Sequence, residues 1–127
     1  MTESEIATQI VDAAFKIHTT LGPGLLESVY EAVMTEELSR RGLQVIRQQA
    51  IPVVYESVRL DIGFRADLIV ESKVIVEIKS IEQIAPVHKK QVLAYLRLAN
   101  IRLGLLINFN VNLIREGISR VVNGLKD

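Results

Sequence analysis

Two carboxylates and one lysine lie close together near the middle of the chain, on two segments whose residue patterns are typical of strands. Asp67 is in the first segment, at 64–70, and Glu77 and Lys79 are in the second, at 74–79. Alternating and β-branched residues in both segments, separated by polar residues at 71–73, predict a β-hairpin with a three-residue turn. Because side chains alternate faces along a strand, this turn places Asp67 directly opposite Glu77.

The length of the turn also predicts the full register of the hairpin. The expected pairs are Val70 with Val74, Ile69 with Ile75, Asp67 with Glu77, and Arg65 with Lys79. One face is then entirely apolar and consists of Phe64, Ala66, Leu68, Val70, Val74, Val76 and Ile78. The opposite face carries the two acids and the two bases, beside Ile69 and Ile75.

The two opposed acids could share a metal ion. Directly opposed residues have Cβ atoms about 5 Å apart, and two carboxylates at that spacing repel unless a proton or a cation lies between them. Asp67 and Glu77 offer the hard oxygen ligands that Mg²⁺ takes at about 2.0–2.1 Å, and Lys79 adds a fixed positive charge. For the hairpin alone, ordinary solvated ion pairs are the simpler interpretation, because short motifs often match by chance.

Length and composition favour one globular domain, covering residues 1–127. A chain of this size with 49% hydrophobic residues can bury a core without disulfides, and it contains no cysteine. The absence of cysteine agrees with a cytoplasmic location. An acidic N-terminus argues against a secretory signal, and no apolar run reaches the roughly 20 residues that span a membrane.

The overall charge argues against strong non-specific binding to nucleic acid. Fifteen basic and fifteen acidic residues give a net charge of zero, whereas strong non-specific binding to nucleic acid usually requires a basic excess. Any phosphate-binding surface on this chain must therefore be local.

Before the hairpin, the pattern predicts two helices and two short strands. Thr2 and Glu5 form the pattern of a capping box for the first helix, and Gly-Pro-Gly at 22–24 ends it. The second helix runs from about 25 to 41, with a buried side made of Leu26, Val29, Tyr30, Val33, Met34 and Leu38. Short strands follow at 43–48 and 51–55, and Pro52 suggests that the second lies at a sheet edge. A turn at 56–57 then leads into a segment at 58–62 that continues into the hairpin.

After the hairpin, a helix begins at Pro86 and continues to about residue 100. His88, Gln91 and Tyr95 share one of its faces. That face could line a cleft or be a solvated stripe. The apolar run at 101–109 predicts a strand buried on both faces, and 118–122 suggests a final strand.

This order of elements resembles the PD-(D/E)XK nuclease superfamily, whose core has the order αβββαβ. Five segments carry the resemblance: Gly24/Glu27/Tyr30, Arg65-Ala66-Asp67, Glu77-Ile78-Lys79, 86–91 and 105–109. The first of these makes the chain most similar to the small GxxExxY family. Ala66 stands where the superfamily name implies proline, a departure that touches no ligand. The implied fold class is α/β, with a restriction-endonuclease-like core whose mixed central sheet is flanked by helices.

The resemblance also implies roles for individual residues. Asp67 and Glu77 would bind Mg²⁺ or Mn²⁺, with the carbonyl of Ile78 as a third ligand. Lys79 would orient the attacking water or offset charge on the transition state. Glu27 and Gln91 would reach the same site from the two neighbouring helices. Four further residues could line it: Tyr30, Arg65, His88 and Tyr95. For Glu27 an alternative suffices, since an acid in the first turn of a helix suits the helix dipole.

We therefore expect a metal-dependent nuclease that acts on DNA or RNA. Phosphodiester hydrolysis needs a metal that polarises phosphate and activates water, together with fixed charge for the transition state. The alternative is a catalytically silent nucleic-acid-binding or protein-interaction module on a nuclease-like scaffold. No membrane association is expected. A homodimer could supply the groove that a small neutral chain lacks.

Overall fold

Five strands form one mixed sheet with helices on both of its faces. The computed structural model describes residues 1–126, apart from the side chain of Ile62. In chain order the elements are α1 (Glu3–Leu21), α2 (Glu27–Arg40), β1 (Val45–Tyr55), β2 (Val58–Val70), β3 (Val74–Lys79), α3 (Pro86–Ala99), β4 (Leu103–Asn108), a 3₁₀ turn (Ile114–Glu116) and β5 (Ile118–Val122).

The strands follow one another across the sheet in the order β1-β2-β3-β4-β5. Neighbours are antiparallel except β3 and β4, which are parallel because α3 carries the chain back between them. The predicted α/β class is therefore confirmed, as a mixed sheet flanked by helices in the order of the restriction-endonuclease-like core.

Two hydrophobic cores lie on opposite faces of this sheet. Apolar side chains of α1 and α2 pack on one face, while Val92 and Leu96 of α3 pack on the other. The inner strand β4 is buried on both faces, as its apolar sequence predicted. Gly104 of β4 allows α3 to approach closely, because a Cβ there would lie 2.6 Å from Cγ1 of Val92.

Most of the local signals in the sequence are confirmed. Thr2 and Glu5 form the expected capping box at the start of α1, α3 begins at Pro86, and a two-residue turn joins Tyr55 to Val58. Pro52 lies in β1, which is an edge strand. Among the described helices, none has the length and hydropathy needed to cross a bilayer.

The hairpin register is confirmed only near the turn. Val70 pairs with Val74, Ile69 with Ile75, and Leu68 with Val76, and this ladder goes no further in the described residues. The expected backbone pairs of Asp67 with Glu77 and of Arg65 with Lys79 are therefore wrong. Beyond Leu68, β2 stays paired with β1 and leaves β3.

The predicted apolar face is also wrong at its far end. Ala66 packs in the core on the α3 face together with Ile69, not with Leu68. The ring of Phe64 lies 4.9 Å from that of Tyr95 on α3. Strict alternation along β2 is thus interrupted at Asp67, between the Arg47–Leu68 and Gln49–Ala66 pairs.

Two further expectations before the hairpin are corrected. The short strands predicted at 43–48 and 51–55 form the single strand β1, because Gln49 and Ala50 between them also pair with β2. In α2, Leu26 and Val29 are exposed, and Leu26 is 73% exposed. The helix starts at Glu27 and turns Tyr30, Glu31, Met34 and Leu38 inward.

Candidate active site

Asp67 and Glu77 lie where β2 and β3 separate, and their side chains cross between the two strands. The backbone N–H of Asp67 donates to Oε1 of Glu77 at 3.0 Å. The N–H of Ile78 donates to Oδ2 of Asp67 at 2.8 Å. Each carboxylate therefore accepts a backbone hydrogen bond from the opposite strand, which compensates for the ladder bonds lost at this point.

Glu77 is withdrawn from solvent and Asp67 is half-buried. Glu77 is only 6% exposed, and burial, followed by the negative charge of Asp67, raises its pKa to about 8. Burial also raises the pKa of Asp67, against the opposing effect of the hydrogen bond from Ile78. Within residues 1–126, no basic side chain forms an ion pair with either carboxylate.

The donor set fits a hard divalent cation. Two adjacent carboxylates at a buried point offer the oxygen ligands that Mg²⁺ and Mn²⁺ prefer. A cation between them would also relieve the repulsion that favours their protonated forms. No group of three or more His, Cys, Asp or Glu side chains suited to a metal occurs in the described part of the chain. Further ligands would therefore be backbone carbonyls, water or phosphate oxygens.

Lys79 and Tyr95 lie close to the two acids. Lys79 follows Glu77 by two residues in β3, so it points to the same face, and its charge opposes the rise in the pKa of Glu77. Burial raises the pKa of Tyr95, and so do the negative charges of Glu77 and Asp67. Gln91 lies one turn before Tyr95 on α3 and is exposed.

His88 and Arg65 contact backbone groups. Nδ1 of His88 accepts a hydrogen bond of 2.8 Å from the N–H of Ala85 at the start of α3. Nη1 of Arg65 donates to the carbonyl of Gln48 at 3.1 Å, and its side chain is exposed. The His88 ring therefore caps the start of α3, and Arg65 connects β2 to β1 beside Asp67.

Glu27 and Tyr30 lie in the segment 22–30, which contacts Ser80 at the end of β3. Tyr30 is fully buried against Phe109, with ring centroids 4.4 Å apart, and its hydroxyl donates to the carbonyl of Gly22 at 2.5 Å. Oε2 of Glu27 accepts from the N–H of Ser80 at 3.0 Å. The hydroxyl of Ser80 donates to the carbonyl of Leu25 at 2.6 Å. The segment 22–30 therefore fixes the position of Ser80, the residue directly after Lys79.

A comparison with protein-family models agrees with this geometry. The model described as the PD-(D/E)XK nuclease superfamily matches residues 4–121, which include every element from α1 to most of β5. The chain belongs to the PD-(D/E)XK nuclease superfamily. No curated protein and no solved structure matches the chain.

Nucleases of the PD-(D/E)XK superfamily typically use divalent metals, which agrees with the chemistry of the acid pair in this member. The superfamily match supports a nuclease-like scaffold with Asp67 and Glu77-x-Lys79 on its central hairpin. The match does not extend to a smaller family or to a substrate.

Sequence analysis missed Asn108 of this PD-(D/E)XK protein. Its side chain is 2% exposed at the end of β4. Oδ1 accepts from the N–H of Ile81 at 3.1 Å, and Nδ2 donates to the carbonyl of Ile81 at 2.9 Å. Asn108 therefore fixes the loop that leaves β3 for α3. A single amide at the end of an apolar strand was the available signal.

Sequence analysis also missed Glu31 and Gln48, which connect α2 to the acid pair. Glu31 is 7% exposed, and Nη2 of Arg47 lies 2.9 Å from its Oε2. Nε2 of Gln48 lies 2.6 Å from Oε1 of Glu31 and 3.3 Å from Oδ1 of Asp67. An acid directly after the buried Tyr30 was the only sequence signal for this connection.

Proposed function

We propose that this protein is a Mg²⁺- or Mn²⁺-dependent nuclease that hydrolyses phosphodiester bonds in DNA or RNA. The observation that carries the proposal is the buried Glu77 paired with the half-buried Asp67 beside Lys79, in a chain of the PD-(D/E)XK superfamily. We also propose that it belongs to the GxxExxY family, on the match of Gly24, Glu27 and Tyr30.

The acid pair would hold the metal, with the carbonyl of Ile78 as a third ligand. When bound, the metal polarises the phosphate and lowers the pKa of a coordinated water. The water would lose one proton to solvent as its oxygen bonds to phosphorus, and the bond to the ester oxygen would break as that oxygen takes up a proton from solvent. The ammonium group of Lys79 would orient the water or stabilise the added negative charge of the transition state.

The neighbouring side chains would have supporting roles. Gln91 on α3 would orient the water or a phosphate oxygen, and Tyr95 would exclude bulk water from the acid pair. Glu27 would contribute through Ser80, since its carboxylate accepts the N–H directly after Lys79. Arg65 is exposed beside the same strand and could contact the nucleic-acid backbone, whereas His88 would shape the start of α3.

Two finer points belong to the same proposal. A cytoplasmic location is supported by the absence of cysteine. A homodimer is supported by the net charge of zero, because a second copy would extend a phosphate-binding surface that one chain keeps local.

Cleavage assays on the full chain test this function. Labelled single- and double-stranded DNA and RNA are incubated with Mg²⁺, Mn²⁺ or EDTA. We expect cleavage only with metal and a loss of about 10²- to 10³-fold for Lys79→Met, which removes the charge needed in the transition state. Lys73→Met, in the turn of the same hairpin, is the matched control and should retain activity.

The alternative function is a catalytically silent binding module, which the net charge of zero also favours. Its signature would be nucleic-acid or protein binding that survives Asp67→Asn, with no cleavage of any substrate in either metal. Equal cleavage by wild type and Lys79→Met would also contradict the nuclease proposal, since it would indicate that a contaminating enzyme cleaves the substrate.

A further inference from the structure

The backbone of Gln48 is unusual for the interior of a strand. Gln48 lies in β1, with paired residues on both sides at Arg47 and Gln49, and its φ is 51°. A side chain with a Cβ rarely takes a positive φ, and such residues cluster where the surroundings determine the conformation for a function. Nη1 of Arg65 holds this backbone by donating to its carbonyl at 3.1 Å.

This conformation places the amide of Gln48 between two carboxylates. Its Nε2 donates to Oε1 of Glu31 at 2.6 Å and to Oδ1 of Asp67 at 3.3 Å. An amide nitrogen carries two hydrogens, so one is available for each acid. The opposite orientation of the amide would direct its oxygen at two carboxylates, which accept but do not donate when ionised. The network therefore fixes the orientation of the side chain.

Glu31 is the anchored end of this connection. It is buried on α2, and its Oε2 accepts from Nε and Nη2 of Arg47 at 3.2 and 2.9 Å. Asp67 is the adjustable end, because only Oδ2 is held by the short backbone bond from Ile78. Oδ1 accepts from the Gln48 amide at 3.3 Å, and Glu77, the other acid of the pair, contacts the Asp67 side chain.

We infer that Gln48 is a positioning residue, which Glu31 anchors and which sets the direction of the Asp67 carboxylate at the proposed metal site. This inference rests on the proposed function, and it adds a connection from α2 across the edge of the sheet to the acid pair. Residues that orient a metal ligand are typically worth 10- to 100-fold in metal affinity. Glu31 holds the amide of Gln48, so its effect passes largely through Gln48 and the two losses should not add.

Calorimetric titration of the full-length protein with Mn²⁺ at one fixed pH tests the inference. Gln48→Leu keeps the approximate volume and removes the amide, and it should raise the Kd by about tenfold or more. Gln49→Leu changes the next residue of the same strand and should bind as wild type. Glu31→Gln should weaken binding less, and the double variant should be no weaker than Gln48→Leu alone. Thermal melts confirm that each variant is folded.

A metal-free measurement separates this inference from the proposed function. In ¹⁵N spectra, the side-chain amide of Gln48, assigned by its loss in Gln48→Leu, should shift in both Asp67→Asn and Glu31→Gln. If the amide shifts in both variants but the wild type binds no Mn²⁺, the connection is supported and the metal proposal is overturned. Normal Mn²⁺ affinity in Gln48→Leu, with affinity lost in Asp67→Asn, overturns the inference alone. Additive losses in the double variant also overturn it.

Discussion

Glu31 and Glu77 are buried to nearly the same extent, yet their surroundings differ. Glu31 is 7% exposed and meets the guanidinium of Arg47 at 2.9 Å together with the amide of Gln48. Glu77 is 6% exposed and has Asp67, a second acid, beside it. A buried carboxylate is costly unless it is paired, so the chain compensates for one acid and leaves the other to repel its neighbour.

The difference indicates which of the two acids serves stability. Local rules for a stable fold are usually broken at functional sites and obeyed elsewhere. The environment of Glu31 obeys those rules, while that of Glu77 breaks them. The surroundings of Glu77 are therefore typical of a functional site and not of a stabilising contact.

The largest expected effect is at Glu77, where activity and stability should change in opposite directions. Glu77→Gln should reduce metal-dependent cleavage by about 10³-fold, because a ligand is lost. At pH 8 the metal-free variant should gain about 1 to 3 kcal/mol in the free energy of unfolding, because the repulsion is removed. Cleavage rates and urea unfolding measure the two effects. Glu82→Gln, an exposed acid, is the control and should change neither.

The opposite result is expected at Glu31. Glu31→Ala should lower the free energy of unfolding by about 2 kcal/mol, since Arg47 and Gln48 lose a buried acceptor. Glu36→Ala on the same helix removes an exposed ion pair with Arg40 and should cost less than about 0.5 kcal/mol. If urea unfolding gave the same loss for both variants, the contrast between the two buried acids would have no structural basis.

The pH dependence of stability should reveal the strained acid pair. The pKa of Glu77 rises from 4.5 to about 8 on folding, so the folded state binds more protons than the unfolded state between these values. The contribution of Glu77 to stability is therefore fully present at and below pH 4.5 and is lost as the pH rises to about 8, at roughly 1 kcal/mol per pH unit or less. Saturating Mn²⁺ should flatten this slope, and so should Glu77→Gln. A metal-free wild type that gains stability over this range would contradict the assignment.

The smallest effect is expected at Glu27, which is exposed, unlike Glu31 and Glu77. Glu27→Gln keeps an oxygen that can accept from the N–H of Ser80, so stability should change by less than about 0.5 kcal/mol. Cleavage should fall only severalfold, with Mn²⁺ affinity unchanged, if Glu27 acts through the backbone after Lys79. A loss of Mn²⁺ binding would instead make Glu27 a metal ligand.

Sequence patterns predicted those features of the structure that depend on residues close together in the chain. The register next to the hairpin turn, the capping box at Thr2 and the helix start at Pro86 depend on neighbours within a few residues. The resemblance to the superfamily was likewise visible in short segments and is confirmed by the family match.

The parts that the sequence did not predict depend on contacts between distant segments. Glu31 is separated from Arg47 by 16 residues, and only its position directly after Tyr30 distinguishes it from the other acids of α2. Two predicted strands are one strand because Gln49 and Ala50 between them pair with β2. The separation of β2 from β3 moved Ala66 to the other core. Periodicity along one strand does not reveal such a change, because it results from the pairing of β1 with β2.

Pro52 gives the outer strand β1 a property that matters for solubility. An edge strand offers unpaired backbone groups to other molecules, which is a common route to intermolecular sheets and fibrils. Proline has no N–H to contribute, and the register with β2 shifts between Ile51 and Val53, so the free edge is neither straight nor continuous. The long hairpin of β1 and β2 can therefore extend from the sheet at low risk of edge-to-edge aggregation.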